Sequence, residues 1–293
     1  MKTVFVIVFF MGFLLIPSFL LAAAEIEVVP SVVMQGEPIK ISVVNLQNGI
    51  SIKSATIKTS IKTSIKNRPL SFFIYEGTPT ALAGIDLYDK PGIYEIRVNL
   101  SDGNSIVSKV EVVERKKIEM PLGIPLKLGG NTPESQNKLV SSLSNENAIL
   151  NNVRSGNKSF WTNKFSNPIA ELFITDGYGY SRKTGEYSIA HKGVDFRAKE
   201  GTPVMAMNRG VIRLARTFRV YGKTVVVDHG LGLQTLYIHL SKIKVNEGEL
   251  VLPGQLVGLS GKTGYAEYPH LHLSVKIRGI SVDPMKFLAL MGS

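Results

Sequence analysis

The stretch AHKGVDF at residues 190–196 sets a histidine and an aspartate four positions apart across a glycine, in a chain of 293 residues that has only five histidines. A helix would put His191 and Asp195 on one face, but Gly193 and the β-rich flanks argue against a helix. In a straight strand the two also share a face, yet at roughly 3.3 Å per residue they stand about 13 Å apart. One metal ion cannot join ligands at that distance, because zinc bonds to histidine nitrogen and carboxylate oxygen are only about 2 Å long. The pair can chelate only if the chain bends between them, and Gly193 is the residue that makes a bend cheap. Alone, this spacing is a weak signal.

Two further stretches strengthen it. In PHLHLSV at residues 269–275, a strand reading points His270 and His272 to one side and Leu271 and Leu273 into the core. The two imidazoles then stand about 6 to 7 Å apart, a separation that suits one direct ligand beside one residue that touches water at the metal's fourth position. Neither ring gains from burial unless it has a partner. LYIHLS at residues 236–241 places His239 at the end of another strand. His229, in VVDHGLG at 226–232, reads as an exposed turn residue with no role.

Outward from these stretches, the chain divides by texture. From Phe165 onward it is β-rich with frequent glycine, and this part holds every histidine. Residues 117–164 read as a connector with one polar helix, in which Leu139, Leu143, Ile149 and Leu150 form a thin apolar edge and Pro133 and Glu134 suit a first turn. Residues 25–116 show short alternating runs such as IKISVV and IYEIRVNL between turn signals such as MQGEP, YDKPG and SDGN. They predict a small Ig-like β-sandwich. The near-repeat IKTSIKTSIK at 57–66 would turn Lys58, Lys62 and Lys66 to one strand face. That face is either a grip for an anionic polymer or an ordinary solvated surface.

Residues 1–24 read as a secretory signal, with Lys2 before an apolar run and Ala22, Ala23 and Ala24 ahead of Glu25. An uncleaved membrane anchor is the alternative reading, since the run is about long enough to span a bilayer. The expected location is exported, in the periplasm or cell envelope, with no membrane span once the signal is removed. The absence of cysteine excludes disulfides, thiolate metal sites and cysteine nucleophiles. Chemistry must come from His, Asp, Glu or Ser. The full chain carries a formal charge of +11, and a basic exported protein expects an anionic neighbour. Nothing resembles a zinc knuckle or an aromatic-studded basic strand, so nucleic acid is not expected. A negatively charged envelope polymer suits the expected location.

Taken together, HKGVDF, YIHLS and PHLHL, in that order, resemble the signature segments of the M23 zinc metallopeptidases, the lysostaphin-type or LytM-type peptidoglycan endopeptidases. The similarity extends through EGTPVMAMNRGVI and the closing SVDPMKF, covering about residues 165–288. It implies an antiparallel β metallopeptidase domain of the LytM type at 165–293, hydrolysing peptide bonds in the stem or cross-bridge peptides of peptidoglycan. It also implies one zinc ion per chain held by His191, Asp195 and His272, with His239 and His270 as unligated catalytic histidines. Which of these two is the general base stays open. Departures are Tyr268 ahead of PHLH, Ser274 where many members carry glutamate, and Tyr178 in DGYGYSR at 176–182, where phenylalanine is usual. Tyr180 and Tyr187 are candidates for a further site tyrosine. A member that has lost zinc and binds peptidoglycan or activates cell-wall amidases is the rival reading, and latency imposed by the N-terminal part is a third.

Overall fold

The computed structural model describes residues 23–59, 67–161 and 164–292. Residues 1–22 of the expected signal, and Lys62 and Lys66 of the near-repeat, lie outside the described residues. Lys58 is described, and its Nζ stands 3.3 Å from Glu95 Oε1 in an ion pair. The protein is mainly β.

The first part is built from β1 (Glu25–Val29), β2 (Val32–Met34), β3 (Pro38–Val44), β4 (Ile52–Thr59), β5 (Arg68–Pro69), β6 (Phe73–Tyr75), β7 (Thr78–Gly84), β8 (Gly92–Leu100) and β9 (Ser105–Val113). They form a sheet in the order β1-β3-β7-β6 and another in the order β2-β9-β8-β4-β5. Strict alternation explains why the two sheets face each other. In β8, Tyr94, Ile96, Val98 and Leu100 are buried, while Glu95, Arg97 and Asn99 between them are not. Ile39 and Ile41 from one sheet share a core with Ile57, Tyr94, Ile96 and Val110 from the other.

The connector is more than a spacer. β10 (Glu119–Pro121) pairs in parallel with β12 (Ser181–Thr184) of the C-terminal part. Helix α1 (Pro133–Asn151) starts where expected, with Pro133 in its first turn and the Thr132 hydroxyl accepting from Ser135 N at 3.2 Å. Its buried stripe is Ser135, Leu139, Glu146 and Leu150. Ile149, expected on the apolar edge, is instead exposed, and buried Glu146 lies on the inner face. The Glu146 carboxylate accepts from Val220 N at 2.9 Å and Tyr221 N at 3.0 Å. A polar residue can sit on the inner face because it satisfies two main-chain donors there.

The C-terminal part comprises β11 (Ile174–Asp176), β12, β13 (Tyr187–Ala190), β14 (Val194–Arg197), β15 (Pro203–Met205), β16 (Gly210–Thr217), β17 (Lys223–Gly230), β18 (Leu233–Leu240), β19 (Lys242–Ile243), β20 (Leu250–Val251), β21 (Leu256–Leu259), β22 (His270–Ile277), β23 (Ile280–Val282) and α2 (Pro284–Met291). Its main sheet runs β11-β14-β22-β18-β17-β16-β20, antiparallel throughout, with β23 on β22. One face packs Leu271, Leu273, Val275, Val225, Val227 and Tyr237 against Phe165 and Phe287. The other face carries Val226, Leu236 and Ile238, and α1 covers part of it through Leu150. No helix among the described residues is long and apolar enough to cross a membrane.

The two parts are docked. Tyr75 and Leu82 of the first part join the core of the second, and Arg115 Nη2 lies 3.4 Å from Glu37 Oε1 and 3.6 Å from Asp283 Oδ2. Asp283 N also donates to Gly36 O at 2.7 Å.

Candidate metal centre

Register assembles the site. β14 and β22 pair so that Asp195 faces His272, and on the other side of β22 Ile238 pairs with His272. His191, just past the end of β13, is fixed by its backbone N donating to Tyr180 O at 2.7 Å. The chain does bring His191 and Asp195 together, and it bends at Gly193, as the spacing requires, without a positive φ. A Cβ there would also lie 2.3 Å from His272 Nε2 and 2.5 Å from Leu273 O. Glycine is required for room.

Three donor atoms converge. His191 Nε2 lies 3.2 Å from Asp195 Oδ1 and 3.0 Å from His272 Nδ1, and His272 Nδ1 lies 2.7 Å from Asp195 Oδ1. The other ring nitrogens are tied off. His191 Nδ1–H donates to Gly177 O at 2.7 Å, and His272 Nε2–H donates to Ser274 Oγ at 3.0 Å. Ser274 in turn donates to Lys192 O at 2.8 Å. These bonds set the tautomers so that His191 Nε2 and His272 Nδ1 present lone pairs toward one point. A tetrahedral ion bound at about 2.0–2.1 Å separates its ligand atoms by roughly 3.3 Å. The observed spacings are close to that, and the two imidazoles and carboxylate therefore fit a metal.

The electrostatics agree. Burial disfavours the charged form of Asp195, but the imidazoles of His191 and His272 overcome it and hold the carboxyl well below the usual range. Burial lowers the His272 value and favours a neutral ring. Burial acts the same way on His191, but the Asp195 carboxylate outweighs it there and raises the value, so a cation binding here displaces a proton from that ring.

The two remaining site histidines stand beside the trio. His239 and His270 ring centroids are 4.9 Å apart, and that of His239 is 6.0 Å from that of His272. His239 Nδ1–H donates to Thr263 O and His270 Nδ1–H to Tyr268 O, both at 2.8 Å. Both therefore keep Nε2 free, and His270 Nε2 comes within 3.7 Å of Asp195 Oδ1. Burial, with His270 and His272 nearby, drives the His239 value down to about 3. His239 also sits at φ 61°, an uncommon backbone conformation for a residue with a Cβ.

His229 corrects an expectation. It is fully buried rather than exposed, because β17 turns it toward the apolar core, edge-on to Phe165 at 5.1 Å. Its Nδ1 bonds Arg209 O and its Nε2 bonds Thr235 Oγ1, each at 2.9 Å, so its polar atoms are satisfied away from the site.

All five site residues line a cleft of about 810 Å³. Its tyrosines are Tyr88, Tyr221, Tyr265 and Tyr268, while Tyr187 is occupied with Asn137 of α1 and Tyr180 stacks near Gly177. Tyr178 is buried and donates to Ser281 O at 2.7 Å. Sequence reasoning gave no role to Arg182, whose guanidinium bridges Asp176 and Asp195 Oδ2, the latter at 3.4 Å. The asparagines of α1 reach the cleft wall without joining the trio. Asn147 accepts from Tyr221 OH and Asn151 from Lys276 Nζ.

Residues 189–284 match the sequence profile of Peptidase family M23, and this part of the chain is an M23 peptidase domain. Over 96 residues the chain is 45% identical to peptidoglycan DD-endopeptidase ShyA of Vibrio cholerae, a match covering 33% of this chain and 22% of that one. Over 128 residues it is 38% identical to lysostaphin of Staphylococcus staphylolyticus, covering 40% and 26%. The chain thus spans about a quarter of the length of these curated relatives. A solved Pseudomonas aeruginosa structure assigned to peptidase M23 shares the fold at TM-score 0.57 and 24% identity, over 82% of this chain and 93% of that one.

Proposed function

We propose that the C-terminal part, residues 165–293, is a zinc-dependent endopeptidase that cuts stem or cross-bridge peptides of peptidoglycan. The carrying observation is the convergence of His191 Nε2, Asp195 Oδ1 and His272 Nδ1 at 2.7–3.2 Å, with two more imidazoles free at Nε2 beside them. Two nitrogens and one oxygen suit zinc with an open fourth position. Such an ion supplies a bound water of pKa near 7 and polarises a carbonyl.

The chain's own residues do the rest. One of His239 and His270 takes a proton from the attacking water at Nε2 and returns it to the departing amine as the C–N bond breaks. The other lies beside the position where the tetrahedral oxyanion develops and stabilises it. Arg182 holds Asp195 through its second oxygen, and Ser274 fixes the His272 ring. The peptide enters along the cleft between the sheet and α1. The relatives named for peptidoglycan support this substrate and an envelope or exported location. The first part serves as an Ig-like module, and the basic chain as a whole favours an anionic envelope polymer.

The test is hydrolysis of purified cross-linked peptidoglycan by the zinc-loaded full chain, read as new amino termini. Release is expected from the wild type, with His239→Ala and His270→Ala each reducing turnover by about 10² to 10⁴-fold while keeping zinc. No release by a zinc-loaded wild type would overturn the reading.

A further inference from the structure

β22 lays a polar row along the cleft floor. His270, His272, Ser274 and Lys276 alternate with Leu271, Leu273, Val275 and Ile277, which face the core. The first three members of the row have roles at the metal centre. Lys276 stands four residues beyond His272, about 13 Å along the strand at roughly 3.3 Å per residue, at the other end of the cleft.

Lys276 is 7% exposed, and its Nζ bonds the neutral Asn151 Oδ1 at 3.0 Å. Among the described residues no carboxylate forms an ion pair with it. The nearby charge has the same sign: Lys192 also lines this end, its Nζ 5.3 Å from the ring of Tyr88. Burial, reinforced by Lys192, pushes the Lys276 amine down to about 8. A buried ammonium without an acid is costly to hold, and a ligand that supplies the acid recovers that cost. Tyr88 comes from the first part of the chain and Asn151 from α1, so this end of the cleft is completed by elements outside the peptidase domain.

We infer that Lys276, assisted by Asn151 and Lys192, binds a carboxylate of the substrate peptide three to four residues from the scissile bond. This rests on the peptide-hydrolase reading above and adds its substrate class: acidic peptides laid along β22 with their anion toward Lys276. A charge-assisted hydrogen bond in a desolvated pocket discriminates strongly against a neutral isostere.

The test is binding, so that it stands apart from turnover. Soluble muropeptides with free carboxylates, and the same muropeptides amidated by carbodiimide coupling to ammonia, are titrated into the zinc-loaded full chain carrying His239→Ala to slow hydrolysis. The free acids should bind at least about ten-fold tighter than the amides. Adding Lys276→Gln should bring the two within about two-fold, and Lys276→Arg should keep the preference. Equal binding of acid and amide, no binding of either, or an unchanged preference in Lys276→Gln would each overturn the inference. Absence of turnover in the wild type with the preference intact would instead count against the peptidase reading alone.

Discussion

The two faces of the sheet through β22 are one strand's width apart and follow opposite rules. On one, Leu271, Leu273, Val275 and Ile277 pack with Phe165, Tyr237 and Phe287 in a closed apolar core. On the other, His270, His272, Ser274 and Lys276 line an 810 Å³ cleft, with Leu236 and Ile238 beside them partly covered by α1. The first face stabilises the fold by burial. The second collects polar groups that burial alone would disfavour, and it holds them through a defined set of hydrogen bonds or leaves them for a ligand. A residue's type is therefore less informative than the face on which it lies.

Truncation on the apolar face should give the largest effect on stability. Leu273 is fully buried, and Leu273→Ala should cost about 2–5 kcal/mol of folding free energy, read as a shift in urea midpoint at unchanged slope. A loss below about 1 kcal/mol would mean that this face is not the structural core.

His229 sharpens the contrast, being a histidine on the apolar side. Burial lowers its value to about 4, against about 6.5 when unfolded. The unfolded chain therefore binds the extra proton first, so stability is complete above about pH 6.5, falls with pH below it, and levels off near pH 4. The loss should reach about 2 kcal/mol by pH 5. His229→Gln removes the titrating group, and the gap in pH dependence between wild type and variant, measured by urea melts from pH 7 to 5, should show that amount. Parallel curves would contradict it.

The smallest expected effect on folding belongs to Ser274 on the cleft face. Ser274→Ala leaves His272 Nε2–H without its acceptor and should weaken zinc about 10 to 100-fold, measured by competition with a chelator. Folding should change little. Unaltered affinity would show that another contact fixes the His272 ring.

Much of this arrangement was legible in the sequence because it depends on a period of two. The alternation in HLHLSVKI separates the two faces directly, and HKGVDF, YIHLS and PHLHL supply the five residues that meet in the cleft. What stayed hidden depends on which distant element covers a face. Glu146 looks like a solvent-facing helix residue until the main-chain donors of Val220 and Tyr221 are seen beneath it. His229 lies beside a turn in sequence, yet it belongs to β17 and its ring packs edge-on against Phe165, a contact the sequence does not show. Gly193 reads as a bend, and the chain does bend there, but the close approach of His272, distant in sequence, is what excludes a side chain. Arg182 and Lys276 could be noticed only as isolated charges, since their surroundings come from β11, β14 and α1.

The central claim is that His191, Asp195 and His272 bind the metal while His239 and His270 do not. Its most direct test is elemental analysis of the purified full chain and of five single alanine variants, dialysed against the same trace zinc. The account predicts about one zinc per chain in the wild type, His239→Ala and His270→Ala, with zinc lost from His191→Ala, Asp195→Ala and His272→Ala. Full zinc in any of these last three, or its loss from His239→Ala or His270→Ala, would contradict the account.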